Sequence, residues 1–217
     1  MITTVLFDFD GTLIDTTDVV ISSWQDTFRA ITGEEKTREE LLGTLGEVVR
    51  DSMKRFFPDR DPDECIRIYR SFQGEDYMLR MKFYDGMEET VRRLKREGYK
   101  VGIVTSRTKR TAYQAIDNCG LRDCFDYVLS CEDTDIHKPN PEPALLALEK
   151  LGSSADETIM IGDSMYDIGC AHNAGITAAA VSWQTAIPDD ILYGPEGPEY
   201  IIDKAEDLFR IIEECNG

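Results

Sequence analysis

The chain has 217 residues, a formal net charge of −18 and 41% hydrophobic residues, which suits one domain with an insert or two small domains around a sizeable core. The acid excess argues against nucleic-acid backbones and anionic membrane surfaces as partners, because both would repel it. No run of about 18 apolar residues occurs, so no transmembrane helix is expected.

The N-terminal segment has no basic stretch. It places Asp8 and Asp10 where the apolar part of a secretion signal would lie, so a cytoplasmic protein is expected. The six cysteines (65, 119, 124, 131, 170 and 215) form no CxxC pair and read as reduced thiols. Val5, Leu6 and Phe7 make a short apolar run that stops at Asp8, the pattern of a buried strand. Side chains alternate along a strand, so Asp8 and Asp10 share a direction at its C-terminal end. Two carboxylates there need a cation or a difference in protonation to coexist. The pair therefore points to a divalent metal, or to a nucleophile beside a proton-transfer acid. Gly11 permits a tight turn or a close backbone approach.

Residues 16–82 show no strand pattern. Amphipathic helices are expected over 19–31, 38–42, 47–57 and 63–81, with a turn at 58–62. From residue 84 the signals alternate. Helices are expected over 88–96, 109–119, from Asn140–Pro141 to Gly152, over 164–174 and 205–215, and strands over 100–105, 125–130, 157–161, 176–181 and 200–202. Such alternation gives a parallel sheet with right-handed crossovers, an α/β fold. The chain thus divides into a core of residues 1–15 and 83–217 and a helical segment of residues 16–82. Residues 187–198, with three prolines and two glycines, read as a surface loop.

Polar groups recur at the expected strand ends. Thr105 closes the run YKVGIVTSR, Lys138 stands in HKPNPEP, and Asp163, with Asp167 four residues on, ends TIMIGDSMYDI. His137 adjoins Lys138, either as a pocket residue or as a plain turn residue. Ligands of open parallel sheets sit outside the carboxyl ends of the strands, where all of these belong.

Together with the opening DFDGT, these three segments resemble the four ordered motifs of the haloacid dehalogenase-like phosphohydrolases, over nearly the whole chain. The resemblance implies a Rossmann-like core with an inserted α-helical cap, hinged near residues 14–16 and 82–85. It implies that Asp8 is the nucleophile and Asp10 the general acid and base, with a raised pKa. Thr105 and Lys138 complete the catalytic set, and Gly11, Thr105, Ser106, Arg107 and Lys138 contact the substrate. Mg2+ would be held by the Asp8 and Asp163 side chains and the Asp10 carbonyl, with Asp167 behind them or linked through water. In the cap, Gly43, Gly46 and Arg50 fall where the specificity loop would lie, and Arg50, Lys54 or Arg55 could meet a second anionic group.

Asp10 favours phosphoryl over carbon–halogen chemistry, because releasing a halide needs no acid. Thr105–Ser106–Arg107 resembles the Thr-Asn-Lys type of phosphoglycolate phosphatases and bacterial pyrophosphatases, with serine in place of asparagine. The segments at Val19–Trp24 and Val181–Trp183 also look like the pyrophosphatase subgroup. Expected is a magnesium-dependent hydrolase of a small phosphorylated metabolite, a phosphoglycolate-like ester or pyrophosphate, acting as a monomer or weak dimer. A β-phosphoglucomutase-like enzyme and a non-catalytic phosphate-binding protein are the alternatives.

Overall fold

A computed structural model describes residues 1–73, 81–183 and 187–217. Six parallel strands form one sheet in the order β5-β4-β1-β6-β7-β8. They are β1 (Thr4–Phe7), β4 (Lys100–Val104), β5 (Tyr127–Leu129), β6 (Thr158–Gly162), β7 (Thr177–Val181) and β8 (Tyr200–Ile202). Strand β1 lies at the centre with all four residues buried. Period-two alternation sorts the strand residues between two apolar layers. Val5, Phe7, Val101, Ile103, Ile159 and Ile161 face one layer, and Leu6, Val104 and Met160 face the other.

Helices cover both faces, as a parallel sheet requires. On the first, α5 (Met87–Arg96), α6 (Lys109–Asn118) and α10 (Asp207–Asn216) bury Val91, Ile116 and Ile211. On the second, α7 (Glu142–Leu151) and α8 (Met165–Asn173) bury Ala147 and Ile168. A short helix α9 (Asp189–Leu192) lies where the sequence suggests only a surface loop. Ile187 and Leu192 are buried against the second layer. Four apolar positions were too few to reveal that packing among the prolines.

The chain leaves the sheet after β1 and returns through an antiparallel ribbon of β2 (Ile14–Asp15) and β3 (Lys82–Phe83), pairing Ile14 with Phe83. Two-residue strands leave no periodicity to read, and neither was expected. Between them stand α1 (Thr17–Thr32), α2 (Arg38–Leu41), α3 (Val49–Phe56) and α4 (Pro62–Gln73). The expected helix over 63–81 coincides with α4 as far as Gln73, and its remainder to residue 80 lies outside the described residues. These helices form an inserted α-helical unit with an apolar core of its own around Trp24, Phe28, Met53 and Tyr69. The rings of Trp24 and Tyr69 lie 5.0 Å apart. Burying each such side chain contributes roughly 1.5–3 kcal/mol. No helix among the described residues is long and apolar enough to cross a membrane.

Candidate active site

Because β4 and β6 run parallel to β1 on either side, Phe7 lies opposite both Ile103 and Ile161. That register brings Asp8, Thr105 and Asp163 to one edge of the sheet, each just beyond its strand. Asp8 is 3% exposed and Asp163 2%. The loop after β5 delivers Lys138, whose Nζ donates to Asp8 Oδ1 at 2.7 Å, Asp167 Oδ1 at 2.5 Å and the Val104 carbonyl at 3.2 Å. The other Asp167 oxygen accepts from the Ser164 hydroxyl at 2.6 Å and the Ser164 amide at 3.1 Å, closing the N-terminus of α8. Thr12 Oγ1 donates to Asp163 Oδ1 at 3.3 Å. Gly11 adopts φ +81°, and a side chain there would overlap the Asp163 carboxylate.

Asp8, Asp163 and Asp167 each offer an oxygen within 4.8 Å of the others. Three carboxylates against the single ammonium of Lys138 leave an excess of buried negative charge. Burial pushes the Asp8 carboxyl up to about 7, and Asp167 adds to this, although Lys138 opposes it. Burial, Asp167 and Asp8 push Asp163 well above the carboxylate range. Burial lowers the Lys138 ammonium, but Asp167 and Asp8 outweigh it and hold it above its usual value. Hard oxygen donors with unbalanced negative charge fit a divalent cation. Both Asp167 oxygens accept hydrogen bonds, from Lys138 and from Ser164, and Asp8 shares the Lys138 ammonium with it.

Asp10 departs from expectation. Arg107 donates Nε to Asp10 Oδ2 and Nη2 to Asp10 Oδ1, both at 2.6 Å, and Thr16 Oγ1 donates to Oδ1 at 2.7 Å. Burial raises the Asp10 pKa, but the Arg107 charge and the hydrogen bonds from Arg107 and Thr16 outweigh it, and the carboxyl is held below its usual range. The raised value expected from neighbouring carboxylates is therefore corrected: the bidentate guanidinium decides the sign. The Asp10 carboxylate is thus held by Arg107 and Thr16 and is not among the clustered carboxylates of Asp8, Asp163 and Asp167.

Thr105 directly follows β4, and its Oγ1 accepts from the Arg107 amide at 3.2 Å. Ser106 turns toward the insert, and its hydroxyl donates to the Gly46 carbonyl at 2.6 Å. Gly46 takes φ +82°, where a side chain would meet Ser164. The loop carrying Gly46 is thus docked on the core. Beneath the insert lies a cavity of about 580 Å3, reached by Asp8, Asp10, Gly11, Thr105, Ser106, Arg107 and Asp163. His137 and Arg50 also line it, and Arg50 is ion-paired with Asp63. Lys54 and Arg55 pair with Asp51 and Glu47 instead and are not among the lining residues, nor is Gly43. Thr12 and Thr16 escaped the sequence reading, although both stand in the opening motif stretch. Trp24, Tyr69 and Arg70 escaped it because helical spacing marks them only as core or surface.

The family model described as haloacid dehalogenase-like hydrolase matches residues 5–181. A curated relative, the pyrophosphatase PpaX of Bacillus mycoides, is 36% identical over 216 residues, covering 100% of this chain and 99% of its own. The Bacillus cereus PpaX is also 36% identical, covering 99% of this chain and 98% of its own. In fold, the chain is similar to a haloacid dehalogenase-like family hydrolase from Streptococcus pneumoniae, with a TM-score of 0.82, 22% identity and coverage of 97% and 98%. A β-phosphoglucomutase from Clostridium difficile scores 0.82 as well, at 19% identity with 99% and 97% covered. A family match across most of the chain and relatives of this identity along its whole length lead to one conclusion: the chain belongs to the haloacid dehalogenase-like hydrolase family.

Proposed function

We propose that this protein is a magnesium-dependent phosphohydrolase acting on a small phosphorylated metabolite. The observation that carries the reading is the buried Asp8–Lys138–Asp167 chain beside Asp163, at the sheet edge and open to the cavity. The PpaX relatives support pyrophosphate as one candidate, and the Thr105–Ser106–Arg107 segment supports a phosphoglycolate-like ester as another.

In this mechanism Asp8 attacks phosphorus, forming a carboxylate–phosphorus bond as the bond to the leaving oxygen breaks. Lys138 steadies the attacking carboxylate and offsets charge beside the phosphoryl group. Thr105 and nearby amides hold the phosphoryl oxygens. Asp10 gives a proton to the leaving oxygen, then takes one from the water that hydrolyses the aspartyl-phosphate. Arg107 keeps Asp10 ionised when no substrate is bound. Exchange of Arg107 onto a phosphoryl oxygen leaves burial to favour the protonated acid. Mg2+, held by Asp8, Asp163 and the Asp10 carbonyl, would supply charge neutralisation at the transferring group. The helical insert acts as the cap, with the Ile14–Phe83 ribbon as its hinge. Phosphate-release assays over a panel of phosphorylated metabolites test the proposal, and inactivity against the whole panel with magnesium present would refute it.

A further inference from the structure

We infer that the preferred substrate is a phosphomonoester whose leaving group has an extended apolar body and a second anionic group at its far end. This deepens the phosphohydrolase reading and rests on it. Ser106 and Gly46 dock the insert on the core, yet the cavity between them still measures about 580 Å3. That is within the range of about 300–1,000 Å3 for sites that enclose drug-sized ligands. A phosphoryl group in contact with Asp8 and Thr105 uses only the sheet end of this space. Pyrophosphate or a two-carbon ester leaves most of it filled with water.

The far wall has a defined chemistry. Val20, Trp24, Val49, Ile66 and Tyr69 of the insert line it. An apolar surface of this kind favours a leaving group that displaces water from it. Four arginines also reach the cavity, and their partners differ. Arg107 is held by Asp10 and Arg50 by Asp63. Arg70 on α4 and Arg110 on α6 enter no ion pair among the described residues. The lining acids nearby are already engaged. Glu47 pairs with Arg55 at 2.5 Å, and Glu132 accepts from the Lys109 amide at 2.7 Å. Arg70 and Arg110 line the same cavity as Cys131 and Glu132. In a chain of net charge −18, two lining guanidinium groups that enter no ion pair among the described residues match a second carboxylate or phosphate on the substrate.

The test compares initial rates of phosphate release, with magnesium, from four probes: pyrophosphate, phosphoglycolate, 4-propylphenyl phosphate and 3-(4-hydroxyphenyl)propanoate O-phosphate. The two aryl esters differ only in a terminal methyl against a carboxylate. Each reaction consumes one water, breaks one phosphorus–oxygen bond and releases orthophosphate. The carboxylate ester should exceed each other probe in kcat/KM by about tenfold or more, a difference of about 1.4 kcal/mol. In the R70Q/R110Q double variant the ratio between the two aryl esters should fall to about one, through KM rather than kcat. A kcat/KM for pyrophosphate or phosphoglycolate equal to or above that of the carboxylate ester would overturn the inference and leave the phosphohydrolase standing. A ratio unaltered in the double variant would overturn it equally. No phosphate from any probe would overturn the phosphohydrolase reading itself.

Discussion

Arg107 grips both carboxylate oxygens of Asp10 through two hydrogen bonds of 2.6 Å, from a core helix entry to the strand-end motif 97 residues away. Bidentate pairing of this kind fixes orientation as well as charge. It holds ionised the group proposed to donate a proton. Removing the guanidinium leaves burial as the main influence, so in Arg107→Met the Asp10 pKa should rise. If protonated Asp10 is the competent form, the alkaline fall of kcat/KM then moves to higher pH. A profile unshifted relative to wild type would disconnect Asp10 from leaving-group protonation.

Asp8→Asn should reduce turnover below about a tenth of wild type, because an amide is a far poorer nucleophile than a carboxylate. Lys138 keeps its bond to Asp167 in this variant, so the fold should survive. Circular dichroism checks the fold and phosphate release checks the activity. Substantial turnover by a folded variant would remove Asp8 from covalent catalysis.

Chelation should abolish activity and added magnesium should restore it, while Asp163→Ala should remain inactive with or without the metal. The same carboxylates shape stability. Asp8 is raised to about 7 and Asp163 is raised too, mainly by burial. Below these values the folded chain holds protons that the unfolded chain has already released. The metal-free protein should therefore gain stability as pH falls from about 7 toward 4, and lose it as pH rises through 7. Asp10 acts oppositely, and its contribution disappears only in more acid solution. Saturating magnesium replaces the protons and should flatten the trend. Thermal midpoints across this range, with chelator and with magnesium, measure it. A chelated protein that becomes steadily less stable from about 7 to 5 would contradict the assignment.

Steady phosphate release without a bisphosphate primer is expected, because closure over a small substrate would leave room for a water beside Asp10, which lines the cavity. Rapid interconversion of β-glucose 1-phosphate and glucose 6-phosphate with negligible phosphate release would make the protein a mutase. A phosphoglucomutase and a family hydrolase share this fold, each with a TM-score of 0.82, so the assay decides between the two reactions.

Ser106→Ala should raise KM a few-fold with little change in thermal midpoint, since it removes a single hydrogen bond between core and insert, worth about 1 kcal/mol. Gly46→Ala should be the more severe change. It strains a positive-φ position and drives a methyl group against Ser164. If KM for the panel's substrates stays at the wild-type value in both variants, the Ser106–Gly46 contact does not govern closure.

The sequence by itself determined the parallel α/β sheet, because apolar runs of four or five residues separated by glycine-terminated helices have one economical arrangement. It also marked Asp8, Asp10, Thr105, Lys138 and Asp163 as candidates, because each polar residue follows an apolar run or a distinctive turn. The helices described between residues 17 and 73 were legible from apolar spacing, whose periodicity there never becomes that of a strand. The tertiary structure alone decided which charges meet. Arg107 on Asp10, Lys138 shared between Asp8 and Asp167, and Ser106 on Gly46 join residues from 29 to 130 positions apart. Local periodicity carries no information about such pairs. The sign of the Asp10 shift followed from one of them, because in a partly buried site a bidentate guanidinium outweighs the cost of desolvation. The size and lining of the cavity were likewise invisible, since Trp24 and Tyr69 read as core residues, and only the docked insert makes them line the cavity as well.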